Sequence, residues 1–237
     1  FTYLENYFNK RNFMKKKNLK ALVTTGPTRE YIDPVRYISN ESSGKQGREI
    51  AEVLNRYGIK TTLISGPSNL VTHSEIKTKK IISAGEMFEE VKKTLPVDIA
   101  VCAAAVSDFK PSKINKNKLK KNLKNFNYIK FEKNRDIVEY LGKNNKHRPK
   151  IVVGFSAETE NINKNSFSKL KNKNCDLIIA NNVSKKDVGF NSDYNKVLII
   201  DNNEKIKQLK KNKKSFIAKK IVDVILDKLL IDERNFN

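Results

Sequence analysis

The chain is poor in the residues from which most reactive centres are built. Its 237 residues include two histidines, two cysteines and nine glycines. His73 and His147 fall in polar stretches away from any expected strand end, so no Ser/His/Asp set is available and no nucleophile stands out. Cys102 and Cys175 lie in or beside apolar runs, and no metal-ligand spacing is present. They read as buried free thiols of a reducing, cytoplasmic compartment. The few glycines form neither G-x-G-x-x-G nor G-x-x-x-x-G-K-[ST]: Gly44-Lys45 is followed by Gln46, and Ser39 stands at the upstream glycine position. No apolar run approaches about 18 residues, so no membrane span is expected. The N-terminus shows no signal-peptide core. It opens on Phe1 rather than Met, and the chain is expected to be a fragment or a processed form.

Acids are scarce too. Against 48 lysines and arginines there are 26 aspartates and glutamates, a formal charge of +22. That invites a nucleic-acid partner. However, the lysines are spread along the chain and interleaved with asparagine, as over 115–121, 143–146, 161–174 and 205–214. Such runs read as solvated surface, and neither nucleic acid nor membrane is expected as a partner.

What the chain has in quantity is short apolar strands alternating with amphipathic helices. Strands are expected at 19–25, 60–65, 77–82, 98–106, 127–132, 150–155, 176–180 and 196–200. Helices are expected at 46–57, 84–95, 135–141, 166–173 and 214–230, with a short one in the basic lead 1–18. This alternation predicts an open, mostly parallel α/β sheet with helices on both faces. Ligands of such sheets sit beyond the carboxyl ends of the strands. Four of those ends are polar: 24–29, 107–110, 156–159 and 181–184.

The most distinctive stretch is Arg36-Tyr37-Ile38-Ser39-Asn40-Glu41-Ser42-Ser43-Gly44-Lys45-Gln46-Gly47. Ser42 and Ser43 suit a helix N-cap, and Gly44 allows close approach of a ligand to backbone. The loop reads either as an ordinary capped helix start or as a phosphate site. Asp108, after a buried strand, reads as a metal or ribose ligand or as a turn cap. The Lys118–Lys121 cluster reads as solvated loop or phosphate contact, and Phe155 as core or a base-stacking ring. Lys169 and Lys173, four apart on one helix face, could reach a polyphosphate or simply face water. Lysines, amides and a few acids suit phosphate chemistry by positioning and charge neutralisation.

Together these segments resemble the phosphopantothenate–cysteine ligases. The resemblance is carried by Thr25-Gly26-Pro27-Thr28-Arg29-Glu30, Asp33-Pro34-Val35-Arg36-Tyr37-Ile38-Ser39-Asn40, Ser42-Ser43-Gly44-Lys45 and Ser65-Gly66-Pro67. It continues through Ala103-Ala104-Ala105-Val106-Ser107-Asp108, Lys118-Leu119-Lys120-Lys121, Val153-Gly154-Phe155-Ser156-Ala157-Glu158-Thr159, Ala180-Asn181-Asn182-Val183-Ser184 and Gly189-Phe190-Asn191.

The resemblance implies a Rossmann-like three-layer α/β/α domain over 19–237 with a mobile basic flap. Residues 1–18 would be a linker or the tail of a preceding flavin-dependent decarboxylase domain. It implies a homodimer that joins 4′-phosphopantothenate to L-cysteine in coenzyme A synthesis. The bacterial form uses CTP and Mg²⁺ through an acyl-cytidylate, releasing pyrophosphate and then CMP.

By position, Asn40 would contact the intermediate and Arg36 would hold substrate across the dimer interface. Ser42 and Gly44 would bind nucleotide, the backbone of Cys102, Ala103 and Ala104 would read the cytosine, and Asp108 would bind nucleotide or metal. Lys118 and Lys121 would come from the flap. Arg135, Asp136, Ile137, Val138, Phe155, Lys169 and Lys173 would complete the CTP site. Arg135 departs from the family, which usually has proline there. Two rivals are an NAD(P)-dependent reductase, for which the glycine fingerprint is missing, and a basic nucleic-acid-binding module.

Overall fold

The structure is a computed structural model describing residues 2–120, 128–143, 146–158, 160–182 and 192–234. In chain order the elements are α1 (Thr2–Lys16), β1 (Lys20–Thr25), β2 (Arg29–Tyr31), β3 (Tyr37–Ser39), α2 (Lys45–Arg56), β4 (Lys60–Ser65), β5 (Lys77–Lys80) and α3 (Ala84–Thr94). There follow β6 (Ile99–Cys102), β7 (Phe109–Pro111), β8 (Phe131–Lys133), α4 (Ile137–Lys143), β9 (Ile151–Glu158) and α5 (Ile162–Asn172). The described chain closes with β10 (Leu177–Asn182), β11 (Tyr194–Asp201), β12 (Ile206–Lys213) and α6 (Lys214–Arg234).

Eight strands form one sheet in the order β12-β11-β10-β9-β6-β1-β4-β5. From β5 to β10 the pairing is parallel, and β11 and β12 add an antiparallel margin. Alternate residues of β1 feed two cores. Ala21 and Val23 face Ile50 and Leu54 of α2 and Ile221 and Ile225 of α6. Leu22 faces Met87 and Val91 of α3, Leu141 of α4 and Leu170 of α5. The sheet thus lies between two helical layers, as the pattern of strands and helices predicted. Chain order reverses at β1, with β4 on one side and β6 on the other, so the switch-point crevice opens beyond the ends of β1 and β6.

Several expectations need correction. The strand expected over 98–106 ends at Cys102. Its continuation leaves the ladder because Ala103 N donates to Thr24 O at 3.1 Å and Ala105 N to Gly26 O at 2.9 Å, which draws it under the β1 loop. Residues 28–40, where no strand is expected, fold into the β2–β3 hairpin. Its turn is made by Asp33, whose carboxylate accepts from the N–H groups of Val35 and Arg36, both at 2.9 Å. The run 205–214 is largely exposed, as expected of solvated surface, but it is ordered as edge strand β12 and ends in the buried first residue of α6.

The lead helix runs to Lys16 and docks on this chain. Met14 is buried, Tyr7 meets Tyr57 at a ring distance of 5.0 Å, and Lys10 pairs with Asp227 at 2.5 Å. Among the described residues no helix is long and apolar enough to cross a membrane.

Candidate active site

The helix behind the distinctive loop is not capped by a serine. Gly44 occupies the N-cap position at φ 73°, in the left-handed region, and among the described residues no side-chain cap hydrogen bond is made there. Ser42 is turned the other way, its hydroxyl accepting from the Gly44 N–H at 3.3 Å. The first-turn N–H groups of α2 therefore keep their capacity for an external acceptor. Gly47 lets this turn lie on the end of β1, since a Cβ there would stand 2.4 Å from Thr25 Oγ1. Thr25 in turn donates its hydroxyl to Gly44 O at 2.7 Å.

A cavity of about 540 Å³ opens over this start, at the switch point. Residues 39–47 form one wall and 103–106 with Asp108 the facing one. The walls are tied by Asn40, whose Nδ2 donates to Val106 O at 3.2 Å. A smaller cavity of about 150 Å³ continues between Cys102, Arg135, Asp136, Ile137, Val138 and Lys173. Ala104, Val106, Asp108, Phe155 and Lys169 border both, so the two form one crevice. Into it the fold brings Asn40, Ser42, Gly44, Cys102, Ala103, Ala104, Asp108, Arg135, Asp136, Ile137, Val138, Phe155, Lys169 and Lys173 from the sequence-based set.

Two predicted residues are placed otherwise. Arg36 does not line the crevice. Its Nε donates to Asp33 Oδ2 at 2.9 Å and its Nη2 to Leu119 O at 2.9 Å. Leu119 N returns a bond to Asp33 Oδ2 at 3.2 Å, so the hairpin clasps the basic segment next to Lys118. Lys118 is exposed and also lies outside the lining. Lys121 falls outside the described residues, as do Thr159, Val183-Ser184 and Gly189-Phe190-Asn191 of the motifs.

The crevice is electrostatically tuned. Burial lowers the pKa of Lys169, the neighbouring Lys173 lowers it further, and Glu158, Asp108 and Asp136 pull the other way. Burial alone would raise the pKa of Asp136. The Lys173 ammonium, 2.5 Å from its Oδ2, outweighs this and leaves it below the ordinary range. Asp136 also starts α4 by accepting from Glu139 N at 2.9 Å. Burial drives the Cys102 thiol well above its ordinary range and pushes Cys175 up to about 12, so both remain unreactive thiols. The Asp108 carboxylate makes no hydrogen bond or ion pair among the described residues, within which no cluster of three or more metal-ligating side chains occurs.

Lys214 was missed from the sequence because it ends a lysine run. It is 6% exposed, lines the larger cavity and opens α6. Burial and the neighbouring Lys45 bring its pKa down to about 8, with Asp193 opposing. Gln46 Nε2 donates to its carbonyl at 3.3 Å, and buried Asn195 donates to Gln46 Oε1 at 3.2 Å. The usable signal was position: the last charge before the longest amphipathic helix, directly after a strand.

An open parallel sheet with lysines and a helix start converging at its switch point defines an α/β protein with a crevice at the ligand position of such sheets. Residues 16–229 match the family model of the DNA/pantothenate metabolism flavoprotein C-terminal domain, and the chain belongs to that family. It is 42% identical over 222 residues to the coenzyme A biosynthesis bifunctional protein CoaBC of Borreliella burgdorferi, covering 93% of this chain and 55% of that protein. To the Escherichia coli CoaBC protein it is 40% identical over 223 residues, covering 92% and 54%. The chain thus spans about half the length of the curated relatives it matches. The crystal structure of the CoaBC C-terminal domain superposes with TM-score 0.75 at 32% identity, covering 89% of this chain and 95% of that one. A Cab2 variant in complex with phosphopantothenate-cysteine shares the fold, with TM-score 0.73 at 16% identity over 97% of this chain and 95% of that one.

Proposed function

We propose that the chain is a phosphopantothenate–cysteine ligase that activates the carboxylate of 4′-phosphopantothenate with CTP and passes the acyl group to the amine of L-cysteine. The observation that carries this reading is the single crevice joining the Asn40–Gly47 wall to the Ala103–Asp108 wall, in a member of a family whose matched relatives are named for coenzyme A biosynthesis. A carboxylate is a poor acyl donor, and a nucleotidyl leaving group makes it a good one. In the first step a carboxylate oxygen attacks the α-phosphorus and the bond to pyrophosphate breaks. In the second the cysteine nitrogen attacks the acyl carbon, the carbon–oxygen bond breaks, and CMP leaves with that electron pair while the amine loses a proton.

The residues serve this by position and charge. The uncapped first turn of α2, with Lys45 and Lys214, would hold the phosphates. Lys169 and Lys173 would add charge from α5, and Phe155 would flank the base beside the backbone of Cys102–Ala104. Asn40 would orient the acyl phosphate. Mg²⁺ fits Asp108, because this ion is commonly held by one or two carboxylates together with substrate phosphates, and the Asp108 carboxylate has no hydrogen-bond or ion-pair partner among the described residues. The ion would supply charge neutralisation. A homodimer is read onto the β2–β3 hairpin, where Val35 and Tyr37 are 58% and 41% exposed beside Arg36.

The test is pyrophosphate release with CTP or ATP, with and without 4′-phosphopantothenate. The reading expects release that requires phosphopantothenate and strongly prefers CTP. Equal kcat/KM for the two nucleotides removes the CTP assignment, and release independent of phosphopantothenate removes the ligase.

A further inference from the structure

We propose that the protein has a second anion site, separate from the crevice, that takes a phosphate group. It is a cavity of about 270 Å³ on the β4–β5 side of the sheet, and its lining shares no residue with the crevice. Arg29, Arg48 and Lys80 reach it from β2, α2 and β5, and among the described residues no acidic one lines it.

The cations are under-used by the protein. The Arg48 Nη2 group is paired with Glu49, and Nη1 lies 3.4 Å from Val71 O, but the Nε–H is buried and has no partner among the described residues. A desolvated, unpaired guanidinium N–H is unfavourable, and an oxyanion satisfies it. The Arg29 guanidinium rests on the Tyr37 ring at 4.5 Å and meets no side-chain or backbone acceptor among the described residues. Lys80 makes no ion pair within the same set. Three like charges around one concavity repel one another, and a dianion between them reverses the sign of that interaction.

Chemistry and size narrow the ligand. Arginine forks match phosphate oxygens in pairs. The Ser68 hydroxyl, 3.3 Å from that of Ser65, adds a neutral partner at the rim. The volume falls below the range of about 300–1,000 Å³ typical of drug-sized ligands, so a single phosphate group with at most a short stem fits better than a nucleotide. The floor is apolar, with Leu63 and Ile81, which suits a carbon stem. The two sites adjoin through Gly44, whose carbonyl accepts from Thr25 Oγ1 at 2.7 Å and Arg48 N at 3.1 Å. This inference does not depend on the ligase reading.

The test is an amide NMR titration of the isotopically labelled full chain with inorganic phosphate and, separately, with ethyl phosphate. Wild type is compared with Arg48→Met and Lys80→Met; Lys80 lies on an exposed edge strand, so that variant keeps its fold. The expected result is a saturable shift of amides 48, 65, 66 and 68, weakened about tenfold or more in each variant, while amides 42–47 respond alike in all three proteins. Equal affinity for the two probes assigns the free ion, and tighter ethyl phosphate assigns a phosphorylated metabolite; both support the site. Shifts confined to amides 42–47, or a response at 65, 66 and 68 that neither variant weakens, overturn it.

Discussion

At the scale of single residues, charge decides the roles. Lys214 is a lysine whose folded-state pKa, about 8, lies below the ordinary 10.5, so the fold binds fewer protons than the unfolded chain between those values. Wild-type stability should therefore gain from this group as pH rises through that window, the unfavourable buried charge being fully present below it. Lys214→Met should melt higher than wild type at pH 7, with the difference shrinking above pH 8. It should also bind nucleotide about 10- to 100-fold more weakly at pH 7, as loss of one charged contact implies. Thermal melts and nucleotide titrations across pH check both signs.

Asn40 and Lys118 should fail in different ways. If Lys118 reaches the nucleotide from the segment beside Leu119, Lys118→Ala should cost about 2–4 kcal/mol of transition-state stabilisation in the first step, as pyrophosphate leaves. Asn40→Ala should still bind nucleotide and release pyrophosphate, but without matching product. A rapid-quench time course separates them, and loss of nucleotide binding in both alike contradicts the assigned roles.

At the scale of elements, the hairpin β2–β3 behaves as a clasp. Asp33 is buried and its carboxylate is held well below the usual range, chiefly by Arg36, so the clasp stays intact down to mildly acidic pH and fails only when that depressed value is reached. Asp33→Asn should loosen the segment around Leu119, giving faster amide exchange over 113–120 and a several-fold higher KM for nucleotide if Lys118 works from there. Unchanged exchange would show that Leu119 is held by something else. The clasp was not legible in the sequence. Asp33-Pro34 announces a turn, but the bonds from Asp33 and Arg36 to Leu119 span more than 80 residues. By contrast, α2, β4 and α3 were legible within a residue or so, because Ile50, Val53 and Leu54, or Met87, Phe88 and Val91, mark one buried face each. β6 was overextended because Ala103–Ala105 are as apolar as a strand, yet they bond to the β1 loop instead of to β9.

At the scale of the whole molecule, the two margins of the sheet are lysine-rich: Lys77, Lys79 and Lys80 on β5, and Lys207, Lys210, Lys211 and Lys213 on β12. Charged edges hinder strand addition by other chains, which gives part of the +22 charge a structural use without nucleic acid. The switch point between β4 and β6 then leaves one place where polar loops from opposite ends of the chain meet, and there the crevice lies. That architecture was legible from the alternation of strands and helices, whereas strand β12 was not, since it is exposed and carries only Leu209 inward. The central claim is that the carboxylate of phosphopantothenate becomes bonded to the α-phosphate of CTP in this crevice. Phosphopantothenate labelled with oxygen-18 in its carboxylate tests it most directly, with the CMP formed during turnover with cysteine analysed by mass spectrometry. The account predicts one labelled oxygen in each CMP; label that appears in inorganic phosphate or water, with none in CMP, would contradict it.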